Sequence, residues 1–189
     1  MTDSKTNPRP PRLEAADLTL RQQEVHDAIA GGKRGRVEGP LRVWLQSPEL
    51  ADRAQALGAF CRYETRLPAR LSELAILVTG AFWKAGFEWA VHAPIAAAAG
   101  LAPETLEAIR TGAPPAFAEA DEAAVYDFAS RLHRYHKVDA ETYERATNAL
   151  GTEGVVELVG ILGYYTLISM TINAFEVPLP DGAADPFPT

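Results

Sequence analysis

Apolar side chains recur along this chain at intervals of three and four, the spacing that gathers them on one face of an α-helix, and no stretch of useful length alternates as a half-buried strand would. The first helix reads from Thr19 to Ala30. Thr19 with Gln22 three positions later forms a capping-box pattern, and Gly31-Gly32 ends the helix. A loop, GGKRGRVEGP, leads to a short apolar piece at Leu41–Leu45. Ser47 before Pro48 predicts an N-cap with proline at the first helical position, opening a helix to about Glu64. Another begins near Pro68. From Leu71 to Val78 it is apolar all round except at Ser72 and Glu73, the composition of a helix buried on most faces.

Beyond Gly100, Ala102-Pro103-Glu104 opens a short helix to Arg110, and TGAPPAFAE is a loop. Ala120–Lys137 carries the stripe Ala124, Val125, Phe128, Ala129 and Leu132. Asp139 caps a helix through Ala149, Gly151 ends it, and a last helix spans Thr152 to Phe175. Within it, Leu158–Phe175 runs for 18 residues without a charge, at the edge of the length that crosses a bilayer. Its Gly160, Gly163, Thr166, Ser169, Thr171 and Asn173, and its acidic flanks Glu157 and Glu176, predict a buried core helix instead. The expectation is an all-α fold of seven to nine helices. A flexible arm at 1–17 precedes one helical domain at 18–177, and a proline-rich tail follows at 178–189.

Composition narrows the class. At 189 residues, 47% hydrophobic and 23% charged, the chain suits one soluble domain able to bury its own core. Its 25 acidic against 18 basic residues give a net charge of −7, with no cluster of Lys and Arg such as phosphate contacts need, which argues against a nucleic-acid partner. The N-terminal stretch lacks the apolar run of a secretory signal. A single cysteine excludes an internal disulfide and suits a reducing cytoplasm. The expectation is a cytoplasmic protein with no membrane partner. Cys61 shares helical spacing with Leu50, Ala54 and Leu57 and reads as an inert core thiol.

Candidate chemistry concentrates in Leu71–Leu101. Glu88 and His92 stand four apart and so share a helix face. Taken alone, such a pair is an ordinary surface contact worth about 0.3 kcal/mol. Glu73 is different, because a carboxylate inside an apolar run needs a hydrogen-bonding partner, a raised pKa, or both. On one straight helix Glu73 and Glu88 would stand about 22 Å apart. A reversal near residues 80 and 81, between Gly80 and Gly86, would bring them face to face.

The run F-E-W-x-x-H followed by P-x-A-x-x-A-G-L resembles the signature helix of the carboxymuconolactone decarboxylase superfamily, which includes the AhpD-type alkylhydroperoxidases. In the redox branch this segment reads C-x-x-C-x-x-x-H, with a glutamate twelve residues before the first cysteine. Counting back from His92 puts the cysteine positions at Ala85 and Glu88 and the upstream glutamate at Glu73. The likeness is specific over about 30 residues and extends as a helical pattern from about Leu41 to Pro180. It implies an AhpD-like helical bundle, assembled as a homo-oligomer, a trimer or hexamer, with His92 in a pocket.

Peroxidase chemistry of the redox branch needs a thiolate pair that this chain lacks. The decarboxylase branch implies a carboxy-lyase of aromatic compound catabolism, acting on a small carboxylated lactone or keto acid without metal or organic cofactor. His92 would donate and accept the proton, with Glu73 and Glu88 as its electrostatic setting. Phe82, Trp83, Phe87, Trp89 and Tyr165 would line the pocket. Arg62, Arg66 and Arg70 are candidates to hold the substrate carboxylate. Three other readings stand beside this one: a metal set of Glu73, Glu88 and His92, peroxiredoxin-like reduction through Cys61, and a non-catalytic oligomer that binds small molecules. His133 and His136 read as a solvated helix end, and His26 as a surface residue.

Overall fold

A computed structural model describes residues 9–188, so the first eight residues of the predicted arm and Thr189 of the tail lie outside the described residues. After a 3₁₀ turn at Ala15–Asp17 come eight α-helices: α1 (Leu20–Gly31), α2 (Pro40–Trp44), α3 (Pro48–Tyr63), α4 (Ala69–Phe82), α5 (Gly86–Ala98), α6 (Pro103–Thr111), α7 (Ala120–Tyr135) and α8 (Ala140–Ala174). There is no strand among the described residues, and the fold is all-α.

Local chemistry sets the helix ends. At α1 the Thr19 side chain accepts from the Gln22 backbone N–H while the Gln22 side chain reaches back to the Thr19 N–H. Pro48 opens α3, although the Ser47 side chain makes no capping hydrogen bond. Asp139 caps α8 by accepting from Thr142 N at 2.8 Å. Gly151 interrupts α8 with φ 73° and ψ 167°, a region open almost only to glycine, so α8 is two helices placed end to end at the predicted break.

The centre of the molecule is α4. Every residue from Leu71 to Gly80 is buried, because α5, α6, α7 and α8 all pack against this helix. Leu74, Ile76, Leu77, Leu158, Ile161 and Leu162 form the middle of the core. Each such side chain contributes about 1.5–3 kcal/mol on burial. The apolar half of α8 is long and apolar enough to cross a membrane, yet 56% of that window is buried inside the bundle. Its outer face still exposes Val156, Val159, Leu167 and Met170.

The chain reverses between α4 and α5 at Trp83–Ala85, about three residues after the predicted position. Gly80 does not turn the chain. It stays helical, and its bare Cα leaves room for the Glu88 side chain, whose Cγ would stand 3.7 Å from a Cβ there. The turn is a Schellman motif, with Ala85 N donating to Gly80 O at 2.8 Å and Lys84 N to Ala81 O at 3.1 Å. Lys84 takes the left-handed position of this motif, φ 50°, where glycine is the usual residue. For a side-chain-bearing residue this costs about 1–2 kcal/mol, which the hairpin contacts offset.

Candidate active site

The α4–α5 hairpin brings Glu73, Glu88 and His92 into contact. Glu73 Oε2 lies 2.7 Å from His92 Nδ1, and Glu88 Oε1 lies 2.9 Å from His92 Nε2. The three residues are 5%, 4% and 2% exposed. Only the first contact has hydrogen-bond geometry. Glu88 Oε1 is close enough for an ion pair but has no hydrogen-bond partner, so its lone pairs remain open to a ligand or a proton.

Burial on its own pulls the imidazole pKa down. The charge of Glu88 and the hydrogen bond to Glu73 act the other way and win, pushing His92 up to about 9. The resident form at neutral pH is therefore imidazolium, with Nδ1–H donating to Glu73 and Nε2 in ion-pair contact with Glu88. With both carboxylates ionised, the group carries one net negative charge. The edge of the Tyr165 ring meets His92 at 5.3 Å, and burial pushes that phenol well above its ordinary range. The carboxylates lie against opposite edges of the ring, so they do not converge with one nitrogen on a common point as a metal set must. Among the described residues no group of three or more His, Cys, Asp or Glu could hold a metal ion.

Over Glu88 and His92 opens a cavity of about 360 Å³. Phe87 and Tyr165 line it, whereas Phe82, Trp83 and Trp89 do not. At 3.6 residues per turn, Phe87, Glu88, Val91 and His92 share one side of α5 and Trp89 falls on the other. There its ring packs edge-on to Phe187 at 5.6 Å. Trp83 sits in the turn, its carbonyl accepting from Asn173 Nδ2 at 2.7 Å. Phe82 stacks on His133 at 5.0 Å. His133 is half-buried rather than solvated: its Nε2 donates at 2.9 Å to Thr79 Oγ1, whose own proton goes to Ala75 O, and burial lowers its pKa.

Of the three arginines singled out in the sequence, only Arg62 lines the cavity. Arg66 pairs with Glu153 at the surface, and Arg70 ties α4 to Asp121 and Glu122 of α7. The expectation of no basic cluster also needs correction. Folding sets Lys33, Arg34 and Arg36, from the loop between α1 and α2, beside Arg62 around one cavity. The string GGKRGR was in view, but its lack of periodicity gave no sign of where the loop would pack. Cys61 is fully buried, and burial followed by the charge of Glu157 pushes its thiol up to about 11. A peroxide-reducing thiolate needs the reverse on both counts.

Helices in this arrangement form an AhpD-like helical bundle, with a glutamate on one arm of its central hairpin and an E-x-x-x-H pair on the other. Residues 48–129, which contain the whole triad, match the model of the carboxymuconolactone decarboxylase family. Three solved structures share the fold. The debrominase Bmp8 in complex with 2,3,4-tribromopyrrole is 14% identical, with 96% of this chain and 95% of that one covered at a TM-score of 0.71. An uncharacterised peroxidase-related protein from Silicibacter sp. TM1040 is 16% identical, with 96% of each chain covered and a TM-score of 0.74. A protein of unknown function from Agrobacterium tumefaciens, ATU0492, is 14% identical, with 76% of this chain and 99% of that one covered at a TM-score of 0.64. None of the curated protein sequences compared with the chain matches it.

Proposed function

We propose that the protein is a carboxy-lyase working without an organic or metal cofactor, which removes carbon dioxide from a small carboxylated lactone or keto acid by general acid and base chemistry. The observation that carries this reading is an imidazole fixed between two buried carboxylates at the edge of a cavity ringed by cations. In the reaction the bond to the departing carboxylate breaks, and its electron pair moves into the substrate's conjugated carbonyl as an enolate. His92, which lines the cavity, stabilises the developing negative charge and delivers a proton from Nε2 to carbon. Glu73 holds the ring through Nδ1, and Glu88 Oε1, free of hydrogen bonds, is placed to return a proton from solvent to the imidazole. Positioned proton transfer of this kind is worth about 10²–10⁴ in rate.

That Bmp8, alike in fold, binds a tribromopyrrole supports a small ring compound as the ligand class. The exposed apolar stripe of α8 supports self-association as a trimer or hexamer, and the lone buried thiol supports assignment to the cytoplasm. The deciding experiment is carbon dioxide release from a panel of carboxylated lactones and β-keto acids, comparing wild type with His92→Gln and Glu88→Gln, each checked for fold by circular dichroism. Release that disappears in folded His92→Gln is expected. Release that persists there refutes the assigned roles, and no release by wild type from any compound leaves a binding protein in place of an enzyme.

A further inference from the structure

The loop between α1 and α2 carries three cations to the cavity wall, and two of them are answered. Lys33 Nζ lies 3.4 Å from Glu64, and Arg36 Nε lies 2.8 Å from Glu38. Arg34 has no carboxylate in reach among the described residues. Its Nη2 donates to Tyr164 Oη at 3.3 Å, and its Nε is buried with no hydrogen-bond partner at all. A buried donor left unmade costs about 1–3 kcal/mol, and more on a charged group. Such a position calls for an acceptor.

The surroundings hold this guanidinium in a fixed seat. Gly58 of α3 faces it, and a Cβ there would overlap both Tyr164 Oη and Arg34 Nη2, so the missing side chain is what lets the pair rest against the α3 backbone. One turn further along α3, Arg62 lines the same cavity and also has no carboxylate partner among the described residues. It lies over the Tyr63 ring at 5.4 Å. The two unanswered guanidiniums exceed the single net negative charge of the Glu73–His92–Glu88 group. The cavity is thus short of one anionic charge, and a dianionic phosphate would overfill it.

We propose that Arg34 and Arg62 form a subsite for one carboxylate of an organic acid, with Tyr164 and Gly58 as the seat that aims Arg34. A guanidinium edge matches the planar carboxylate with two parallel N–H donors, a geometry that an ammonium cannot reproduce. The assignment deepens the proposed function by naming what holds the substrate, but it concerns binding and does not depend on turnover.

Calorimetric titration of the full chain with benzoate, methyl benzoate and inorganic phosphate tests it. Wild type is expected to bind benzoate and not its uncharged ester, with phosphate weaker than benzoate. Arg34→Gln and Arg62→Gln should each weaken benzoate binding about tenfold or more, and Arg34→Lys should fall between Arg34→Gln and wild type. Arg66→Gln, which removes one surface charge with the same change in net charge, should bind as wild type does. Melting curves confirm that each variant is folded, and Arg62→Gln serves if Arg34→Gln is not. Equal benzoate affinity in wild type and Arg34→Gln overturns the subsite, as does phosphate binding tighter than benzoate or an equal loss in Arg66→Gln. Arg34-dependent benzoate binding without carbon dioxide release sinks the lyase reading and leaves the subsite standing. Carbon dioxide release with benzoate affinity unchanged in Arg34→Gln does the opposite.

Discussion

Raising the pH from 6 to 10 should destabilise this protein through His92. The imidazole rises from an ordinary 6.5 to about 9 in the fold, a gap of about two and a half units. At 1.36 kcal/mol per unit this is about 3 kcal/mol. A histidine whose folded pKa stands above its unfolded value binds more protons folded than unfolded. Its stabilisation is therefore complete below about pH 6.5 and is lost as pH climbs through about 9. Urea unfolding of wild type at pH 6 and pH 10, followed by circular dichroism, should show the midpoint falling by roughly 1–2 M. Lysines and tyrosines also titrate near the upper limit, so the same measurement on Glu73→Gln supplies the reference. That variant keeps an acceptor for Nδ1 but removes one of the two charges that hold the imidazolium, so the fall should shrink clearly. Identical falls in both proteins, or a His92 resonance titrating at or below 6.5, would refute the account of the triad.

Gly39→Ala should lower the melting temperature by roughly 5–10 °C, because φ at this position is 55° and the new Cβ would overlap the Phe87 ring; Gly35→Ala, with φ 71° and open space, should lose far less. Gly151→Ala should cost about 1–3 kcal/mol in denaturant unfolding, since the break in α8 uses a conformation that alanine avoids. Cys61 should resist iodoacetamide in the native protein at neutral pH and react readily in urea; fast native alkylation would return the thiol to consideration as a reactive group. Met170→Glu and Val159→Glu should shift the sedimentation profile towards monomer, and an unchanged profile would remove the outer face of α8 as the contact between copies.

The contact between Glu73 and the E-x-x-x-H pair was legible because two local facts agreed: a carboxylate stood where no solvent could reach it, and an acid and an imidazole shared one helix face twenty residues or fewer away. The break at Gly151 was legible because glycine there had no competing explanation. The expected aromatic lining was met only in part, since Trp83 and Trp89 lie outside this cavity while helical angle brings Phe87 into it. The reversal was placed about three residues too early because it was set midway between Glu73 and Glu88, whereas the turn closes around Lys84, a residue type that gives no sign of a left-handed position. The basic wall was missed altogether. A polar loop carries no period to read, and Arg34 acquires its meaning only from Gly58 and Tyr164, 24 and 130 positions along the chain.

Glu73 belongs to the helix that the rest of the bundle wraps, with neighbours on every side. Backbone amides in such an element exchange with solvent water through complete unfolding, while surface segments open in small local events. The triad is thus anchored in the slowest-exchanging part of the molecule and cannot loosen without the whole domain loosening with it. Traffic into the cavity must pass through what surrounds it, and the segment from Gly32 to Gly39, partly exposed and rich in cations, supplies much of that wall. Deuterium uptake on ligand binding would then slow in that segment and leave the amides around Glu73 unchanged.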